Sequence, residues 1–175
     1  MSYLDISPAT IEQAIDLGPR LRQADVQEVK AACGMDAADA LFEAVKNAKR
    51  SDAWCKDGKV IAISGVTDSG VDNATGVVWM LTSDEMEQSP KNFMIDTRGY
   101  VQDLLKTYAI LFNFVDNRNI KAQRWLKWLG FQLGDPQPFG VDQLPFRPFW
   151  ISATGELRCP SPGHDEINRV EVHHV

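Results

Sequence analysis

Side chains able to do chemistry are thinly spread in this sequence. All three histidines, His164, His173 and His174, fall within the last dozen residues, so the body of the chain offers no imidazole as a base. Neither they nor Cys33, Cys55 and Cys159 show a metal-ligand spacing, so no metal site is expected and reduced thiols fit the odd cysteine count. Two features remain. The acidic pair Asp84-Glu85 directly follows the apolar run "GVVWMLTS", and Asn119 precedes "IKAQRWLKWLG". An Asn in that place can cap a helix or bond a ligand lying across its end, whereas two acids in an exposed loop are more often plain surface.

The elements that would position these residues follow from periodicity. Tyr3 to Ile6 alternate as a short strand, and Ser7-Pro8 is expected to open a helix with Ser7 as its cap. That helix runs to Gly18-Pro19. Two more follow, over about 21–32 and 37–48, the latter capped by Asp36. "DAWCK", the turn Asp57-Gly58 and "KVIAISGV" read as a β-hairpin. "GVVWMLTS" is apolar enough for mid-sheet, and a loop then leads into a helix from about Phe93 to Tyr108. Strand "AILFNFV", the helix after Asn119, strand "FQL" and a strand in "PFRPFWISA" complete the order. In the helix after Asn119, Ala122, Trp125, Leu126 and Leu129 share one face, while Arg118, Lys121, Arg124 and Lys127 take the other. Gly130 is suited to end it. The expected fold class is mixed α/β, with one central sheet flanked by helices in a single domain over 1–153. A loosely ordered tail is expected over 154–175.

Composition narrows the function classes. The chain has 175 residues, 44% hydrophobic content and a formal charge of −6. That size suits one domain, and an acidic chain does not favour phosphate-tracking nucleic acid partners. No apolar run is long enough to span a bilayer, and the start "MSYLDISPATIEQ" lacks the basic and apolar regions of a secretory signal.

Asn119, Ala122, Gly130 and Phe131 match N-x-x-A-x-x-x-Y-x-x-x-G-F with the spacing intact, and "ISPATIEQAIDL" fits a first strand and helix. In these features the sequence resembles the GNAT acyltransferases. The segments "LRQADVQEVKAA", "VWMLTSDEM" and "LFNFVDNRNIKAQRWLKWLGF" further resemble GNAT-like internal virion proteins of short-tailed bacteriophages.

The resemblance implies a mostly antiparallel central sheet whose splayed strand holds acetyl-CoA, the pyrophosphate resting on the next helix N-terminus. Here that strand would be "VVWMLTS" and the phosphate loop "QSPKNF". Leu81, Thr82, Ser83, Gln88, Ser89, Lys91, Asn92 and Asn119 would then contact the cofactor, and Asp84 or Glu85 would stand where a base could act. The chain departs from the family pattern at three points. Lys91 and Phe93 replace the two small residues of the Q/R-x-x-G-x-G/A loop, and Leu126 replaces the tyrosine that serves as general acid. These departures make a phage-encoded virion or assembly protein with a weak or degenerate site the leading expectation. It would work in the virion interior or the host cytoplasm, with other virion proteins or a host factor as partners. The alternative is an active acetyl-CoA-dependent N-acyltransferase acting on a small amine or a host protein. Trp79, Met86 and Phe93 are the side chains that could plug its cleft.

Overall fold

One sheet of eight strands organises the chain. The structure, a computed structural model, describes residues 4–88 and 90–155; the proposed tail beyond Gly155 lies outside them. Strand β1 (Asp5–Pro8) is followed by helices α1 (Ile11–Leu17), α2 (Gln23–Cys33) and α3 (Ala37–Asn47). Strands β2 (Arg50–Lys56), β3 (Lys59–Asp68) and β4 (Thr75–Thr82) lead through a short 3-10 turn (Asp84–Gln88) to helix α4 (Pro90–Leu104). Strand β5 (Ile110–Asp116), helix α5 (Ile120–Leu129) and strands β6 (Gln132–Leu133), β7 (Gln137–Phe139) and β8 (Leu144–Ser152) finish the order.

The strand order is β1-β2-β3-β4-β5-β8-β6, with β7 also on β8. Every pair is antiparallel except β4 with β5. Helices cover both faces. Leu17, Ala40 and Leu41 from α1 and α3 pack with Val29 of α2 against Ala53, Ile63 and Leu81. On the other face, Phe93, Val101, Leu104, Leu126 and Leu129 from α4 and α5 pack against Trp54, Leu111 and Val115. Burial on both faces explains why β3 and β4 read as apolar runs rather than alternations. Each fully buried Leu or Ile contributes roughly 1.5–3 kcal/mol.

Several local readings hold in detail. Asp57 and Gly58 both take positive φ, 51° and 79°, as a two-residue type I′ hairpin turn requires. Asp36 accepts bonds from the Ala38 and Asp39 amides at the start of α3. Gly130 ends α5 in the left-handed conformation.

Others are corrected. Ser7 and Pro8 do not open α1; they belong to β1, opposite Ala53 and Asp52. Thr10 is the cap, in a reciprocal capping box with Gln13. That box satisfies two helix-end donors at once, while Pro8 is tolerated at the end of an edge strand. Helix α4 begins at Pro90 rather than Phe93 and stops at Leu104 rather than Tyr108; proline suits a first helical turn. The short strand β7 was not expected.

Candidate active site in the split between β4 and β5

Strands β4 and β5 pair only through Thr75–Ile110, Gly76–Leu111 and Val77–Phe112, although both continue for several residues. Asn113 ends the ladder. Its Nδ2 donates to the Val78 carbonyl at 2.8 Å, and its Oδ1 accepts from the Phe114 amide at 2.7 Å. In a continued parallel ladder those two backbone groups would form the next rung. The buried Asn113 side chain therefore replaces one backbone bond by two side-chain bonds and wedges the strands apart.

Two carboxylates of α2, one helical turn apart, hold the separated edges. Asp25 accepts from the Thr82 amide at 2.9 Å and its hydroxyl at 3.1 Å, while the Arg22 amide donates to the Thr82 carbonyl at 2.8 Å. Arg22 also pairs with Asp25 at 2.7 Å. Across the split, Glu28 Oε2 accepts from the Asp116 amide and from Asn119 Nδ2, both at 3.1 Å. Thr82 and Val78 turn their backbone groups away from β3, so the two-residue repeat of the strand aims the Met80 N–H and C=O into the split between them.

Burial pushes the Glu28 carboxyl up to about 7, with the bond from Asn119 pulling the other way and the neighbouring Asp25 adding to the rise. A carboxyl with that value is half ionised near neutral pH, which suits a general base. Nothing local in "QADVQEVK" marks Glu28, because its burial depends on strands more than fifty residues away. It is the functional candidate that sequence reasoning missed.

Two cavities border Glu28. The outer one, 360 Å³, lies among Arg22, Met80, Met86, Phe93, Asn119 and Lys121. The inner one, 130 Å³, is lined by residues from both faces of the sheet. Glu28, Met80, Ala122 and Trp125 border both. Among the described residues, the buried Trp125 indole N–H has no hydrogen-bond partner.

The structure distributes the residues singled out by sequence as follows. Leu81 lines the inner cavity; Thr82 and Asn119 line the outer one. Asn119 caps α5 through the Ala122 amide at 3.3 Å, and its Nδ2 donates to Glu28 at 3.1 Å. Ser83 turns away, its amide and hydroxyl both donating to the Ile61 carbonyl. Lys91 is exposed on the first turn of α4, with half-buried Asn92 beside it; Ser89 and the Gln88 side chain lie outside the described residues. Asp84 is exposed, and Glu85 is paired with Lys59 at 2.7 Å and Arg20 at 3.4 Å. The Lys59 bond holds the Glu85 carboxyl below its ordinary range, the opposite of what a base at neutral pH needs, and neither acid borders the two cavities.

Nor is the cleft plugged. Phe93, in the family's small-residue position, stacks on Trp125 at 5.7 Å and packs against Trp54 at 5.5 Å. Trp79 lies over Gly65, where any Cβ would meet its ring. Half-buried Met86 forms part of the outer wall.

The sequence matches no family model and no curated protein. Solved structures do match. An N-acetyltransferase from Staphylococcus aureus Mu50 superposes with a TM-score of 0.65 at 16% identity, over 87% of this chain and 99% of that one. A GNAT-family acetyltransferase from Streptococcus pneumoniae gives 0.60 at 12%, over 85% and 98%. yncA from Salmonella typhimurium, whose structure holds its cofactor acetyl-CoA, gives 0.61 at 14%, over 93% and 100%. The chain has the GNAT fold: a mixed α/β arrangement whose mostly antiparallel sheet is flanked by helices.

Proposed function

We propose that the chain is an N-acyltransferase that uses acetyl-CoA or a related coenzyme A thioester as donor and a small amine as acceptor. The observation that carries this reading is Glu28, held by Asn119 and the Asp116 amide at the border of both cavities. The donor, when bound, supplies an activated acyl carbon. The outward-facing N–H and C=O of Met80 and the unpartnered Trp125 N–H suit the amide-rich arm of such a thioester. The N-terminus of α4, with Lys91 and Asn92 in its first turn, borders the outer cleft through Phe93 and Met94 and would take its phosphates. The phosphate end fits less well than the arm, because Pro90 lacks an N–H and Phe93 has no glycine's freedom of approach.

Glu28 then acts as base. It takes the proton that the amine sheds as its nitrogen bonds to the acyl carbon, and the sulfur departs with the C–S electron pair. Leu126 has no proton to give, so the leaving sulfur is protonated from water. Proximity in the split supplies much of the rate without a protein acid. The first experiment is thermal unfolding with a coenzyme A thioester at a hundredfold excess over its dissociation constant, together with thiol release in the presence of amines. A bound donor should raise the melting temperature by roughly 5–10 °C. Neither stabilisation nor thiol release, up to millimolar donor, would remove the reading.

A second reading is a virion or assembly protein of a short-tailed phage, acting in the host cytoplasm or virion interior with other virion proteins or a host factor. Its support is the three resembling segments, together with Phe93 and Leu126 in place of the family's small residue and tyrosine. The Thr82 backbone, already bonded to Arg22 and Asp25, adds to it. Absence of the protein from purified particles, with assembly unimpaired without it, would remove this second reading.

A further inference from the structure

The inner cavity has more room than an acetyl group uses, and its walls show what would fill it. At 130 Å³ it approaches the roughly 150 Å³ of an engineered apolar cavity that accepts benzene, a six-carbon guest. Most of its polar side chains are committed elsewhere, while the buried Tyr100 hydroxyl and Trp125 indole N–H, which also line it, have no hydrogen-bond partner among the described residues. Asn113 bridges the strands, Ser64 accepts from the Trp54 indole at 2.9 Å, and Thr97 bonds the Phe93 carbonyl. Most of what faces the space is apolar, including Val101, Leu104, Val115, Leu126, Leu129 and Phe149, all of them buried. Glu28, Met80, Ala122 and Trp125 line both this cavity and the outer cleft.

Resting on the coenzyme A reading above, we infer that the inner cavity is an acyl pocket, and that the donor carries a chain of about four to six carbons rather than the two of acetyl. The arm of the donor lies in the outer cleft, its thioester beside Glu28, and its acyl chain passes inward through the split. Leu126 gains a positive role in this arrangement. Where the family pattern has a tyrosine, a hydroxyl would intrude on the apolar wall; leucine keeps the wall apolar. The transfer itself is unchanged: the N–C bond forms, the C–S bond breaks toward sulfur, and Glu28 takes the amine proton.

The test is a chain-length series of coenzyme A thioesters, from acetyl through butanoyl and hexanoyl to dodecanoyl, with free coenzyme A as control. Binding to the full chain is read by calorimetry without any acceptor. Each buried methylene should tighten binding about fourfold, so hexanoyl should bind at least tenfold more tightly than acetyl, with no further gain at dodecanoyl. Leu126→Tyr should lower the hexanoyl-to-acetyl affinity ratio at least tenfold, and the series on the unaltered protein stands even if that variant does not fold. Equal affinity for acetyl and hexanoyl would overturn the pocket and leave the coenzyme A reading intact. A gain that continues through dodecanoyl would point to surface adsorption and overturn it as well. If neither the thioesters nor free coenzyme A binds, the coenzyme A reading fails and the pocket fails with it.

Discussion

The two halves of the β4–β5 junction are made from the same strands and held by different chemistry. From Thr75 to Val77 the junction is closed by backbone bonds to Ile110–Phe112. From Val78 to Thr82 the same strand is held by side chains: Asn113 at the fork, Asp25 on its far edge, and Glu28 on the edge of β5. The closed half fills its own hydrogen bonds and leaves nothing to offer. The open half exchanges ladder bonds for carboxylates and an amide, and so keeps backbone groups, a titrating acid and a cavity lined from both faces of the sheet. Buried backbone groups must be paired, and here the pairing groups are the ones that can act. A fold tolerates such a gap because the closed half and the packed helices on both faces hold the strands in place.

The sharpest way to break this comparison is to neutralise Glu28. Glu28→Gln keeps the shape and an acceptor oxygen but removes the base, so acyl transfer should fall by about 10²–10⁴-fold. In the unaltered protein the rate should rise with pH through about 7 as Glu28 loses its proton, and that limb should vanish in the variant. Stability gives an independent readout. The folded value lies above the ordinary 4.5, so the contribution of this group is full below about 4.5 and is lost as pH rises through about 7. Unfolding free energy of the unaltered protein relative to Glu28→Gln should therefore decline across that window by on the order of 3 kcal/mol. A flat difference would mean that Glu28 titrates as an ordinary surface carboxylate.

Asn113 tests the fork itself. Asn113→Ala leaves the Val78 carbonyl and the Phe114 amide unpaired at a buried site, at a cost of about 1–3 kcal/mol for each group left unsatisfied. If the strands stay apart, the melting temperature should fall by roughly 5–10 °C. If the substitution costs nothing, the ladder has closed and taken up the missing rung. Amide hydrogen exchange at Phe114 distinguishes the two, because a closed ladder would protect that amide.

Much of the fold was legible because its signals are local. The Asp57-Gly58 turn, the Asp36 cap, and the apolar face and caps of α5 each rest on a few adjacent residues. The misplaced start of α1 was legible too: Thr10 and Gln13 carry the capping-box spacing, but Ser-Pro drew the reading three residues early. The site was less so. Asn113 sits inside "AILFNFV", where one polar residue reads as a tolerated exception, and nothing in the run says that its amide will displace a rung. Glu28 reads as the solvated side of a helix. Its environment is set by β4, β5 and α5, elements whose approach to α2 leaves no periodic trace. The acids that sequence did favour, Asp84 and Glu85, follow β4 but border neither cavity: Asp84 is exposed, and Glu85 pairs with Lys59 and Arg20.

Asn119 offers the smallest effect and the finest discrimination. Its Oδ1 caps α5 and its Nδ2 holds Glu28, two functions joined in one side chain. Asn119→Ala should lose the cap, about 1 kcal/mol, and should also remove a bond that favours the ionised form of Glu28. That carboxyl would then titrate above its present value of about 7, moving the rising limb of the rate to higher pH. Asn119→Ser restores a cap but not an amide long enough to reach Glu28. Its stability should return most of the way to that of the unaltered protein while the displaced limb remains. Joint recovery of both would place the whole effect of Asn119 in the helix end, and Glu28 would then owe its position to the Asp116 amide alone.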